Sequence, residues 1–390
     1  LTAAQDLAKQ GYGVSVYESL PIAGGMLAAG IPEFMLAKDI VKAEVDLIKA
    51  LGVDIKTNMK LGKNVSIDDL KKQGYKAIVL ATGAWKNMEL PIPGADLRGV
   101  TQALDFLRDT RLGKIRKLRG TVVVIGGGNV AFDAARTAAR MGARKVIVAC
   151  LESRTAMPAY NWKVEIAEGE GVEVQCSLAA QEFSKKPVDK IGGIAFRKVE
   201  STTIDMDGRI SWTLAEGPDA DVSMEVDNVI IAIGQQPDAS MVEGVDLAEN
   251  GGFKIDSETM ATNLEGIFAA GDAVKMPGTI VGAIAAGHAA AKAVNGYLGG
   301  DVEAPEPDKD VFRAEEDITP GFLLEKDRWE LPSLTPKDAI RTFAEADLGY
   351  PLWQAVEEAK RCMNCRMCGN CLFGRGQLCL ETSRRLLAST

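Results

Sequence analysis

The sequence predicts an α/β protein: two units in which helices alternate with strands of a parallel sheet, followed by a small cysteine-rich helical extension. Three observations carry that expectation. Residues 121–150, "TVVVIGGGNVAFDAARTAARMGARKVIVAC", read as strand, glycine loop, helix and second strand in unbroken succession. Residues 1–83 alternate in the same way, and five of the seven cysteines fall between residues 362 and 379.

Taken in order, residues 1–10 read as a helix, "VSVYE" (14–18) as a strand and "KDIVKAEVDLIKALG" (38–52) as a second helix. "KAIVLATG" (76–83) is a short, wholly apolar strand of the kind buried on both faces of a parallel sheet. After the 121–150 unit comes a run of short β segments, then strand "VDNVIIAIG" (226–234), "GIFAAGDA" (266–273) and a long apolar helix at 279–299. "GGDVEAPEPDKD" (299–310) is Pro-rich and acidic, the composition of a linker.

With 390 residues, 46% hydrophobic and 25% charged, the chain has the composition of a globular protein with room for two or three domains. A net charge of −9 without a Lys/Arg cluster argues against nucleic acid as a partner. No apolar run is long enough to span a bilayer, and "LTAAQDLAKQGYG" has no signal-peptide pattern. Cysteines clustered near the C-terminus suit metal binding in a reducing compartment, so the expected location is the cytoplasm.

The central unit carries chemistry. Gly126, Gly128 and Ala131 form G-x-G-x-x-A between a strand and a helix, the Rossmann dinucleotide pattern. Gly126 permits the tight turn, Gly128 lets backbone approach a pyrophosphate, and Ala131 lets the helix pack closely on the sheet. Asn129 begins that helix, whose leading N–H groups face the phosphates. Glu152 closes the second strand 26 residues after Gly126, where a carboxylate bonds a ribose diol; Arg154 lies two residues on. The N-terminal helix and strand ending at Glu18 are the back half of the same motif. The expectation is that Leu1 directly follows the last glycine of a preceding G-x-G-x-x-G.

The ordered set "GGMLAAGIPEF" (24–34), "ATGAW" (81–85), "AIGQQPD" (232–238) and "GIFAAGDA" resembles the two-dinucleotide-domain flavoproteins of the pyridine nucleotide-disulfide oxidoreductase superfamily. More narrowly it resembles the small subunit of NAD(P)H-dependent glutamate synthase and its relatives. The resemblance implies two Rossmann-like dinucleotide-binding domains, an FAD domain split by an inserted NAD(P)H domain. Residues 1–115 and 227–300 would form the first, 116–226 the second, 301–327 a linker and 328–390 a helical iron–sulfur segment. It also implies that Glu18 holds the adenosine ribose of FAD and that Gly24 and Gly25 lie near the flavin pyrophosphate. Thr82 and Gly83 would end a strand beside the cofactor. Gly271 and Asp272 would meet the ribityl chain or pyrophosphate, and the helix starting near Thr279 would aim its positive end at the flavin ring.

Disulfide-reducing relatives carry a cysteine pair beside the flavin, and none stands in "GGMLAAG". Cys150 and Cys176 read as packing residues. The single histidine, His288, reads as a satisfied or surface-facing side chain, and no hydrolase triad is present. Cys362, Cys365, Cys368 and Cys371 follow C-x2-C-x2-C-x2-C, with Cys379 beyond them in the same cluster. The first three match the ferredoxin spacing for a [4Fe–4S] cluster, with Cys371 or Cys379 as fourth ligand; structural zinc, which favours separated pairs, is the alternative. Residues 328–365, ending "EAKRCMNC", resemble the iron–sulfur domain of the same family, placed there at the N-terminus and here at the C-terminus. That placement resembles flavin-bearing subunits of NAD(P)H-dependent iron or ferredoxin oxidoreductases.

These readings converge on an electron-transferring subunit that takes hydride from NAD(P)H, uses FAD and a [4Fe–4S] cluster, and serves an electron-accepting protein subunit. A non-catalytic cluster-bearing assembly subunit, or the glutamate synthase small subunit itself, are the competing readings. In the glutamate synthase subunit paired arginines follow the strand that here ends at Cys150. Leu151 and Glu152 stand in their place, so the sequence points to NADH over NADPH.

Overall fold

A computed structural model describes residues 1–204, 210–274, 278–301 and 327–360. The chain opens with α1 (Thr2–Lys9) and β1 (Ser15–Tyr17), then α2 (Gly25–Ala29), α3 (Lys38–Ala50), β2 (Asp54–Lys56), α4 (Ile67–Lys72) and β3 (Ile78–Leu80). After β4 (Lys86–Asn87), β5 (Val100–Gln102) and α5 (Ala103–Arg111) come β6 (Thr121–Ile125), α6 (Asn129–Arg140), β7 (Lys145–Ala149), α7 (Asn161–Gly169) and β8 (Glu173–Gln175). An antiparallel group follows: β9 (Leu178–Lys186), β10 (Lys190–Ile204), β11 (Ile210–Leu214) and β12 (Asp221–Glu225). Then come β13 (Asn228–Ile231), β14 (Gln235–Gln236), β15 (Ile267–Ala269), α8 (Ile280–Tyr297), α9 (Pro336–Ala339) and α10 (Leu352–Ala359).

The apolar run "TVVVI" becomes β6, buried at every position, in a parallel five-stranded sheet of order β5-β13-β6-β7-β8. Strand periodicity explains the composition. Val122 and Val124 enter one core with Ala131, Phe132, Ala135 and Ala138 of α6, whereas Val123 and Ile125 enter the opposite core with Ile191, Ile194 and Phe196 of β10. Both faces are covered, so both alternating sets must be apolar. β5 and β13, which lie outside residues 116–226, hydrogen-bond into this sheet as well, so it reaches beyond that segment on both sides.

Two parallel ribbons stand beside this sheet in the strand pairing. β1 pairs with β2, and β15 pairs with β3 through Ile267–Ile78, Phe268–Val79 and Ala269–Leu80. The second pairing brings "ATG" and "AGDA", far apart in sequence, to one strand edge. α1 lies tightly on α8: a Cβ on Gly287 would sit 2.7 Å from the Thr2 Cβ, and His288 Nδ1 meets Asp6 Oδ2 at 2.5 Å.

A buried ionic knot fixes α6 and α7 to the loop after α2. Glu170 accepts from Arg136 Nη2 at 2.7 Å and Nε at 3.0 Å, and from Arg140 Nη1 at 2.6 Å and Nη2 at 2.9 Å. Both guanidinium groups stack on the buried Phe34 ring, at 4.7 and 3.9 Å from its centroid. Phe343 packs on the same ring with centroids 6.3 Å apart, and Arg140 Nε donates to the Thr342 carbonyl at 3.1 Å.

Those last contacts explain the division of the chain. One compact unit comprises Leu1–Asp301 together with Thr335–Glu345; the other spans Val302–Leu334 and Ala346–Thr390. Residues 335–345 thus join the first unit, not the C-terminal segment that begins at 328. In the second unit, Trp329 and Trp353 meet edge to face at 5.6 Å, and Tyr350 donates to the Trp329 carbonyl at 2.6 Å. The expected cluster ligands Cys362, Cys365, Cys368, Cys371 and Cys379 lie outside the described residues.

Candidate functional site

At the end of β6, Gly126 turns with φ +133°, and a Cβ there would fall 2.3 Å from the Ala232 carbonyl oxygen. Glycine alone satisfies both demands. Gly127, which the sequence pattern left as a spacer, is constrained for a different reason. A Cβ on it would lie 2.7 Å from Glu152 Oε2, 3.1 Å from Met157 Cγ and 3.2 Å from Cys150 Cβ. Gly128 opens α6, and a Cβ there would meet nothing within 4 Å. Among the described residues no side chain caps α6, and the space beside Gly128 is open, as the approach of an anion to a helix start requires. Ala131 is wholly buried and lets α6 rest directly on the sheet.

Glu152 is 5% exposed, its carboxylate folded against Gly127, so the structure brings the predicted acid to the predicted loop. Arg154 pairs with Glu168 at 3.0 Å at the surface. Asn129 Oδ1 accepts from the Tyr160 N–H at 3.1 Å, and the Ala159 N–H donates to the Gly127 carbonyl at 3.1 Å. The segment "MPAY" is thereby laid along the glycine loop. Its only sequence signal was Pro158, a turn residue. One turn into α6, Asp133 pairs with Lys163 of α7 at 2.7 Å, and burial pushes the Asp133 carboxyl up despite that partner.

The second cluster gathers where β3 and β15 end. Thr82 Oγ1 is buried without a hydrogen-bond partner among the described residues, and Gly83 follows at φ +73°. Alongside, Gly271 turns at φ +68° and the Ala270 N–H donates to the Leu80 carbonyl at 3.1 Å. Asp272 Oδ1 accepts from the Gly278 N–H at 3.0 Å, and Thr279 caps α8 by accepting from the Gly282 N–H at 3.0 Å. The first turns of α8 leave Ile280, Val281 and Ile284 exposed, an apolar start with nothing over it among the described residues.

Glu18 stands at the end of β1, where its Oε1 accepts from the Leu20 N–H at 2.7 Å. Gly24 (φ +123°) starts α2, and a Cβ there would lie 2.9 Å from the Ala28 Cβ; Gly25 (φ +56°) faces open space. Behind them the buried Lys38 donates to the carbonyls of Leu27 at 2.8 Å and Ile31 at 2.6 Å. Burial, with Arg111 adding to it, pulls the Lys38 ammonium down to about 8, and the two carbonyls favour its charged form. Nothing in the sequence pattern had singled it out.

Among the described residues no helix is long and apolar enough to cross a membrane, and no three His, Cys, Asp or Glu side chains are arranged to hold a metal ion. Residues 1–293 match the family described as pyridine nucleotide-disulphide oxidoreductase. The chain is 34% identical over 391 aligned residues to the NADP(+)-dependent formate dehydrogenase subunit beta of Moorella thermoacetica, covering 97% of this chain and 54% of that one. It is 30% identical to the NADPH-Fe(3+) oxidoreductase subunit beta of Geobacter sulfurreducens, covering 94% of this chain and 59% of that one. With the glutamate synthase [NADPH] small chain of Azospirillum brasilense the identity is 32%, over 78% and 66% of the two chains. The chain therefore spans little more than half the length of the first two relatives. Solved structures with the same fold include Mycobacterium tuberculosis FprA in complex with NADPH (TM-score 0.62, 18% identity, 76% of this chain and 82% of that one). Lactococcus lactis thioredoxin reductase is similar too (TM-score 0.58, 20% identity, 76% and 95%). The glycine loops, the paired β/α units and the match over most of its length agree: the chain belongs to the pyridine nucleotide-disulphide oxidoreductase family.

Proposed function

We propose that the chain is the flavin-bearing electron-transfer part of a multi-subunit oxidoreductase, drawing electrons from NAD(P)H and passing them to a partner subunit. The observation that carries this reading is the 126–128 loop, where Gly126 and Gly127 each have their own reason to lack a side chain, Gly128 borders open space and Glu152 closes over the middle glycine. The dinucleotide pyrophosphate would lie over Gly128 and the first turn of α6, with Asn129 and Ala131 shaping the approach, and Glu152 and Arg154 near the adenosine ribose. FAD would be held by Glu18, Gly24, Gly25, Thr82, Gly83, Gly271, Asp272 and Thr279. The unpartnered Thr82 hydroxyl and the uncovered start of α8 fit a bound polar, flat group there.

When bound, FAD supplies hydride acceptance and release of electrons one at a time. The chain's own residues do the rest. The Arg136–Glu170–Arg140 knot holds α6 against the loop that follows Gly24 and Gly25, so the two sites keep a fixed spacing. The α8 N-terminus, capped by Thr279, presents its positive end toward negative charge. The spacing of Cys362, Cys365 and Cys368, with Cys371 or Cys379, supports a [4Fe–4S] cluster on the C-terminal segment. The proposed domains are 1–115 with 227–300 for FAD, 116–226 for NAD(P)H, a linker at 301–327 and the cluster segment at 328–390. The cytoplasm, a reducing compartment, suits the free thiols of Cys150 and Cys176.

The test is the absorbance spectrum of the protein purified anaerobically from cells supplied with iron. Flavin bands that bleach on addition of NADH or NADPH are expected. A broad cluster shoulder with no flavin, unchanged by either nucleotide, would refute the proposal and favour a cluster-bearing assembly subunit.

A further inference from the structure

Two thiols lie under the dinucleotide loop with no task in the scheme above. The parallel register of β7 and β8 pairs Val148 with Val174 and Ala149 with Gln175, so the next position sets Cys150 opposite Cys176. Both side chains belong to the same apolar cluster, on the α6 face of the sheet. Neighbouring strands stand about 4.8 Å apart, inside the range of Cα separations a disulfide spans. Backbone bonds hold the two positions side by side: the Cys150 N–H donates to the Gln175 carbonyl at 3.1 Å, and the Leu178 N–H donates to the Cys150 carbonyl at 2.8 Å. Both are free thiols.

We propose that Cys150 and Cys176 are a redox-sensitive dithiol whose closure to a disulfide weakens dinucleotide binding at Gly126–Gly128; the effect on binding rests on the function proposed above. The two cysteines differ in access. Cys150 is 1% exposed, whereas Cys176 is half-buried and lines a surface cavity of about 380 Å³ with Lys198, Val199 and Val222. Burial pushes both thiols up. At Cys176 the charge of Arg154 acts against that rise, while Glu152 and Glu168 add to it. Cys176 is therefore the attacking sulfur and Cys150 the resolving one.

The oxidant is a low-molecular-weight disulfide such as glutathione disulfide. Cys176 sulfur attacks one of its sulfurs, the S–S bond breaks, and the first glutathione leaves as a thiol carrying the Cys176 proton. Cys150 sulfur then attacks the mixed disulfide at Cys176, and the second glutathione leaves with the Cys150 proton. Two protein thiols lose two electrons, and one small disulfide gains them.

The consequence for binding follows from what Cys150 touches. Its Cβ is 3.2 Å from where a Gly127 Cβ would lie, and its Sγ donates to the Glu152 carbonyl at 3.5 Å. Bridging removes that proton and draws Cys150 toward β8, away from the Gly127–Glu152 contact.

The full chain is treated with glutathione disulfide, free thiols are alkylated, and peptides are mapped by mass spectrometry. Titration calorimetry with NADH and NADPH follows. We expect a linked Cys150–Cys176 peptide, a Kd raised about tenfold, and recovery with dithiothreitol. Cys176→Ser should bind nucleotide as the reduced wild type does and ignore the oxidant. Cys176 carrying glutathione with Cys150 still alkylated would overturn the dithiol, and a linked protein with unchanged Kd would overturn the switch alone. Reduced protein that binds neither nucleotide would take down the proposed function and the switch with it.

Discussion

Replacing Glu170 by glutamine isolates the electrostatics of the knot from its shape. The carboxylate takes four hydrogen bonds at 2.6 to 3.0 Å from Arg136 and Arg140, and the ion-pairing side chains are about 1% exposed. The amide keeps the volume and an acceptor oxygen but leaves two buried guanidinium groups without a counter-charge. Breaking a buried pair in this way costs about 3–5 kcal/mol, a fall in Tm of roughly 6–20 °C for a large unit. Burial opposes the Glu170 charge, yet Arg140 and Arg136 outweigh it and hold the carboxyl below its usual range. A depressed carboxyl stabilises the fold above the unfolded value, about 4.3, and loses that contribution as pH falls through the folded value. The gap between wild type and Glu170→Gln should therefore be full at pH 7 and close below about pH 4. Urea unfolding monitored by circular dichroism across that range is the assay. A variant within about 0.5 kcal/mol of wild type at pH 7 would refute the argument that Glu170 neutralises the buried pair.

Gly126→Ala forces a Cβ to 2.3 Å from the Ala232 oxygen at φ +133°; the loop must shift, and calorimetry should show loss of dinucleotide binding, whereas retained affinity would show that the loop does not bind the pyrophosphate. Cys365→Ser should abolish iron and sulfide content while nucleotide-driven bleaching of the flavin persists; zinc in place of iron in the wild type would reject the cluster. Glu152 predicts a higher kcat/KM with NADH than with NADPH, and Glu152→Arg should reverse the order, with a like-charge clash worth on the order of a hundredfold. A wild type that already strongly prefers NADPH, the nucleotide named for the relatives above, would refute the role given to Glu152.

The elements that position the sites were legible because they rest on local rules. A run of four apolar residues buried on both faces, a glycine at φ +133° and an alanine-lined helix each leave a mark within a short window. The helix, strand and loop boundaries around Gly126, Gly128 and Glu152 accordingly agree with the sequence reading. The features that escaped depend on contacts made across long separations. Phe34, Arg140, Glu170 and Phe343 form one knot from four segments, and none of them carries a periodicity or motif that announces the others. The same holds for β5 and β13 joining the central sheet from outside its expected segment, and for residues 335–345 packing with the first unit. Gly127 was visible only as the middle of a triplet; its reason is the Glu152 carboxylate, folded back from the end of the next strand.

The central claim is that nicotinamide, flavin and cluster lie on one electron path through this chain. Anaerobic mixing of the purified chain with NADH or NADPH, followed by flavin absorbance and then by electron paramagnetic resonance of frozen samples, tests it directly. The account predicts flavin bleaching first and a reduced-cluster signal afterwards, with the second event lost in Cys365→Ser and the first retained. Flavin that bleaches in a chain whose cluster never becomes reduced, with iron and sulfide present, would contradict it.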